Sequence, residues 1–171
     1  MVKYIIRYNW MNYAHIKHTN EPYNKTSILK DGSGQIAGTL GELAFGRWLN
    51  DLDIDFEYIA DDSKDCDFIV GGYRVDVKTK KTFGEPRDDY TVRIPKTQQN
   101  QECDIYIFAY ATDHAVYMLG YSSKYDFWDT IGHSVKAGDQ TDNFIEKVDA
   151  TYARISDLTE MERLEIMFSL L

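Results

Sequence analysis

Apolar residues follow helical spacing in two stretches of the chain. In the first, Ile36, Leu40, Leu43, Ala44 and Arg47/Trp48 recur three or four apart, which predicts a helix from Ser33 to about Asn50. The turn-like Asp31-Gly32-Ser33-Gly34 precedes it, and Ser33 is a candidate cap. In the second, Leu158, Met161, Leu164 and Met167/Phe168 share one face of a closing helix over 157–168. Between them the pattern shortens to runs and alternations that predict strands at 56–60, 66–70, 73–80, 90–94, 104–111, 115–121 and 152–155. Residues 95–102 read as a polar, Gln-rich linker or short helix, and 124–131 as a short helix. Residues 1–10 suit a strand or an edge element, and 11–33 read as polar and irregular.

This alternation predicts an α/β fold. The 171 residues suit one domain with a proper core, and no repeat or low-complexity linker divides them. No apolar run reaches the roughly 20 residues that span a bilayer, so no membrane association is expected. Residues 1–10 lack the apolar stretch and cleavage site of a signal peptide. Cys66 and Cys103 make neither a disulfide framework nor a zinc pattern, which fits a reducing cytoplasm.

Net charge is −9, which argues against a polyanion as partner until its distribution is considered. Residues 1–30 hold five Lys/Arg against one acid, and residues 74–100 hold seven against four. Residues 31–73 and 101–171 each carry −8. Positive charge is therefore concentrated in two segments, and for nucleic-acid binding the distribution outweighs the total.

The chemistry-bearing segment runs from Asp65 to Lys78. Gly71-Gly72 is a two-residue hairpin signal, because such turns need positive φ. With that loop, Val70 pairs with Tyr73 and Asp67 comes opposite Asp76, on one sheet face with Cβ atoms ~4.5–5.5 Å apart. Period-2 alternation puts Arg74, Lys78 and Lys80 on the same face. Two carboxylates ~5 Å apart at an effective dielectric of ~20 repel by on the order of 3 kcal/mol. A hard divalent cation such as Mg²⁺ or Mn²⁺ removes that cost. Lys78 is then placed to hold or activate a water, or to stabilise a phosphate. Glu42 lies on the first helix with Gly38 and Gly46 four residues to either side. Mid-helix glycine costs ~1 kcal/mol against alanine, so close approach of this helix edge to the sheet is expected there.

Asp67, eight intervening residues and Asp76-Val77-Lys78 resemble the PD-(D/E)xK motif of the restriction-endonuclease-like superfamily, with Cys66 in place of the usual proline. The resemblance covers roughly residues 33–111, flanked by an N-terminal arm (1–32) and C-terminal additions (112–171). It implies an αβββαβ core, a mixed central sheet flanked by helices, plus a C-terminal strand and helix. The activity it implies is a Mg²⁺- or Mn²⁺-dependent endodeoxyribonuclease, of phage or archaeal-virus type or like a Holliday-junction resolvase. The implied metal ligands are Asp67, Asp76, Glu42 and the Val77 carbonyl, with Lys78 acting on the water. The implied partner is DNA, and cutting two strands with one site each points to a homodimer. For a viral chain the expected compartment is the host cytoplasm.

Lys17, Lys80, Lys81 and Gln98 are weaker candidates for DNA contact, with Gln99 and Gln101 beside Gln98. Trp10, Tyr13 and Tyr23, interleaved with Lys17 and Lys25, suit a stacking arm or an element packed on the core. Asp61, Asp62 and Asp65 suit loop solvation, Asp65 also a supporting position. The histidines show no ligand spacing. Two rivals stand beside the nuclease: a catalytically silent nucleic-acid- or protein-binding module on the same fold, and a structural protein whose acidic surface meets a basic partner.

Overall fold

The computed structural model describes residues 1–18, 32–59, 66–141 and 145–171. In chain order the elements are β1 (Val2–Ile5), α1 (Tyr8–His18), α2 (Ser33–Asp51), β2 (Glu57–Tyr58), β3 (Phe68–Val70), β4 (Tyr73–Lys81) and β5 (Thr91–Pro95). Then come β6 (Ile105–Ala111), β7 (Ala115–Ser123), α3 (Lys124–Asp126), β8 (His133–Val135), β9 (Ala150–Arg154) and α4 (Met161–Ser169). The fold is mixed α/β.

Six strands form the central sheet in the order β1-β7-β6-β4-β3-β2. β2, β3 and β4 are an antiparallel meander, β6 lies parallel to β4, and β7 returns antiparallel to β6. β6 is the middle of this arrangement and all seven of its residues are buried, which is why its sequence is an unbroken apolar run. The parallel step from β4 to β6 requires a crossover. Here β5 and one turn of 3₁₀ helix at Lys96–Gln98 make it.

The sheet has two differently covered faces. Val75, Val77, Ile105, Ile107 and Met118 pack against Phe45, Trp48 and Leu49 of α2 and Met161, Leu164 and Phe168 of α4. On the other face Tyr106, Phe108, Tyr110 and Leu119 meet Val92 and Ile94 of β5, Ala153 of β9, and Phe127. That side is closed by a second, three-stranded antiparallel sheet, β5-β9-β8. Flanking by helices therefore holds on one face, and a second sheet stands where helices were expected on the other.

The N-terminal region meets expectation as an edge strand and departs from it in the segment that follows. β1 pairs with β7 and forms the sheet edge, and residues 8–18 are helical rather than irregular. Only Ala14 of α1 is fully buried, so no apolar stripe marks this helix in the sequence. It is held by packing of Ala14 against Ala37, Leu40 and Ala44 of α2. Residues 8–18 are thus packed on the core, the second of the two readings open for Trp10 and Tyr13. Ser33 begins α2, and the cap position is Gly32, with φ 79°. Short α3 continues into a wider, π-type turn over Phe127–Ile131. Asp31, Tyr23, Lys25, Asp61, Asp62 and Asp65 lie outside the described residues. Among the described residues, no helix is long and apolar enough to cross a membrane.

Candidate active site on strand β4

The hairpin that carries the motif forms as its glycines predict. Gly71 and Gly72 have φ 55° and 88°, positive at both turn positions, as a type I′ turn requires. The ladder pairs Val70 with Tyr73, Ile69 with Arg74 and Phe68 with Val75. Asp67 lies just beyond it, and its N–H donates to the Val75 carbonyl at 2.9 Å. Its carboxylate accepts from the Val77 N–H at 2.7 Å. Asp67 is therefore tied to β4 by backbone and side chain, beside Asp76 in sequence register but outside the paired ladder.

Asp76 is 6 % exposed and points to the face closed by the second sheet. Lys78, two residues on, places Nζ 2.5 Å from Asp76 Oδ2. That contact is an ion pair outside hydrogen-bond geometry, since Asp76 Oδ2 has no hydrogen bond. Lys78 Nζ donates to Gln101 Oε1 at 3.1 Å and lies 5.9 Å from the centre of the Tyr106 ring. Burial pushes the Asp67 carboxyl well above the usual carboxylate range, and the charges of Asp76 and Glu42 push the same way. The Val77 N–H and Lys78 oppose the rise without cancelling it.

Glu42 approaches from the helical side. The close contact that brings α2 onto β4 is at neither of the glycines that suggested it. Space beside Gly38 is open, and a Cβ at Gly46 would make only ordinary contact with Phe68. The contact is at Gly41, where a Cβ would fall 1.9 Å from Thr79 Oγ1. The expectation of a close helix–sheet approach holds, but its position is corrected by one helical turn, to the residue next to Glu42. Glu42 Oε2 accepts from the Tyr58 hydroxyl at 2.7 Å and lies 3.8 Å from Lys17 Nζ. Tyr58 is raised above the usual phenol range by burial first and by Glu42 second.

The weaker candidates separate. Lys17 is paired with Glu42. Lys80 lies 5.3 Å over the Tyr110 ring, and Lys81 is 3.6 Å from Asp113. Gln98 Oε1 is buried without a hydrogen bond, and it is Gln101 that touches Lys78. Arg74 shares the face of Asp76 but is bound to Glu102 and Asp104. The side chain of Val77 is buried with α2, and its N–H is bound to Asp67. One participant was named without being singled out, and one was missed. Gln101 was one of three equivalent glutamines, and nothing in the sequence marked Tyr58 as the partner of Glu42.

The arrangement brings Asp67, Asp76 and Lys78 together, with Glu42 close enough for its charge to act on Asp67. Among the described residues, no three His, Cys, Asp or Glu side chains already converge as a ligand set. Comparison with protein-family models, with curated proteins and with solved structures finds no match to this chain.

Proposed function

We propose that the protein is a metal-dependent nuclease of the restriction-endonuclease-like class that hydrolyses DNA phosphodiester bonds, most simply as an endonuclease. The observation that carries this reading is the meeting of Asp67 with the buried Asp76 beside Lys78: burial and the charge of Asp76 both raise the Asp67 carboxyl. Two neighbouring carboxylates repel; Lys78 offsets the charge of Asp76, and a divalent cation would offset the second as well. Asp67, held beside Asp76 with its carboxyl raised, is a second oxygen ligand of the same hard type.

Asp67 and Asp76 would hold Mg²⁺ or Mn²⁺. Glu42 would join by exchanging its contacts with Tyr58 and Lys17, and the Val77 carbonyl would be a further ligand. When bound, the ion supplies charge neutralisation and polarisation of the scissile phosphate. Lys78 would hold the attacking water or a phosphate oxygen at Nζ, with Gln101, which accepts from it, orienting it. The helix, the three-strand meander and the parallel fourth strand support the reading as an element order. The crossover through β5 departs from the helix that the class would place there. A homodimer would bring two such sites to the two strands of a duplex.

The alternative is a catalytically silent binding module on the same fold, favoured by the Lys78–Asp76 ion pair, which offsets the charge of Asp76 without a metal. Calorimetric titration with Mg²⁺ or Mn²⁺, paired with cleavage of plasmid, single-stranded and branched DNA, separates the two. The nuclease reading expects metal binding that is lost in Asp76→Ala, together with cleavage. Absence of metal binding by the wild type would sink it.

A further inference from the structure

We propose that the groove between α1, α2 and β2 is a pocket for one unpaired nucleobase of a single-stranded nucleic acid. Its place beside a scissile bond rests on the nuclease reading, whereas base binding in the groove does not. The cavity measures about 360 Å³, at the small end of the ~300–1,000 Å³ range of ligand pockets. That suits one planar ring system and excludes a duplex.

Aromatic rings line it from two sides. Trp10 and Tyr13 stand three apart on α1, so they share one helix face and form one wall. Phe56, Tyr58 and Phe68 form the other wall, with Phe68 centred 5.6 Å from Phe56 and 5.2 Å from Tyr58. The floor is one strip of α2, where Gly46 leaves room that a longer side chain would fill. Aromatic rings lining a groove give a base surfaces on which to stack. Tyr13 and Tyr58 are 48 % and 37 % exposed, so apolar ring surface faces the groove in contact with solvent.

Two further observations point to nucleic acid rather than a neutral aromatic ligand. Residues 1–18, which carry the α1 wall, contain Lys3, Arg7 and Lys17 and no acid, in a chain of net charge −9. Glu42 lines the same cavity, so the pocket opens on the carboxylate whose charge acts on Asp67. The groove would select for single strands, flaps or frayed ends.

The test is equilibrium binding by fluorescence anisotropy in EDTA, where cleavage does not intervene. The probes are a labelled oligothymidylate and a dumbbell duplex with closed ends. Tyr13→Ala removes one exposed wall, and Gly46→Leu fills the floor; melting curves confirm that both variants fold. Each is expected to weaken oligothymidylate binding by roughly tenfold or more, with dumbbell affinity unchanged. The proposal is overturned if the wild type does not bind oligothymidylate. It is equally overturned if both folded variants bind like wild type, or lose both probes alike. Selective loss in a protein that cleaves nothing with Mg²⁺ would leave the pocket standing and remove the nuclease reading.

Discussion

Two buried carboxylates, Glu146 and Asp76, have very different surroundings. Glu146 is 1 % exposed and fully engaged. Both of its oxygens accept from Arg93, at Nε (3.1 Å) and through a shorter contact at Nη2, and one also accepts from the Tyr152 hydroxyl. Burial alone would raise its carboxyl, yet Arg93 and Tyr152 together hold it below the usual range. Asp67 and Asp76 show the reverse. Asp76 keeps an oxygen without a hydrogen bond, and Asp67 stays raised although Val77 and Lys78 oppose it. Glu146 ties β5 to β9 and the segment before it, as a structural pair does. The raised Asp67 carboxyl on the β3–β4 hairpin is what supports the site proposed there.

The largest expected effect breaks this contrast at the level of chemistry. Lys78→Ala and Asp76→Ala should each lower DNA cleavage by on the order of 10²–10³, measured by plasmid nicking with Mg²⁺. Glu146→Gln should leave the rate per folded molecule unchanged. Equal losses at the two centres would erase the distinction.

Stability should behave the opposite way. Glu146→Ala leaves Arg93 buried without its partner, at a cost of about 3–5 kcal/mol in urea unfolding. Asp67→Asn in metal-free protein should raise the melting temperature at neutral pH, since it removes a charge that burial disfavours.

The pH dependence of these effects carries the same contrast. The raised carboxyl of Asp67 contributes stability that is lost as pH rises through its folded pKa, so the gain from Asp67→Asn should fade in acid. The depressed carboxyl of Glu146 contributes stability above its unfolded pKa that is lost as pH falls. Melting curves of the two variants against pH should therefore slope in opposite senses.

The smallest effects concern how α2 reaches the site. Gly41→Ala drives a methyl into Thr79 and should cost about 1–3 kcal/mol. Gly38→Ala meets open space and should stabilise by up to about 1 kcal/mol. Similar responses at both positions would show that the contact at Gly41 does not set the position of the helix.

Several of these features were legible in the residue pattern. The Gly71-Gly72 turn set the β3–β4 register, because only positive φ at both positions closes so short a loop. The apolar run of β6 marked a central strand, and the stripes of α2 and α4 marked their helices. α1 and β8 were not legible. α1 buries one residue fully, and β8 exposes two of its three, so neither leaves a periodic trace. The second sheet was invisible as a unit because β5, β8 and β9 are far apart in the chain.

At the candidate site the division has the same physical root. Local rules, the period of a strand and the geometry of a tight turn, were enough to place Asp76 and Lys78 on one face; Asp67, expected opposite Asp76, instead lies outside the paired ladder with its N–H on the Val75 carbonyl. Long-range packing decided the rest. It set the contact of α2 at Gly41, chose Gln101 over its neighbours, gave Glu42 a tyrosine partner, and buried Asp76. A side chain's neighbours along the strand are set by the backbone repeat. Its neighbours from other elements depend on the summed fit of the whole core, which no short stretch of sequence contains.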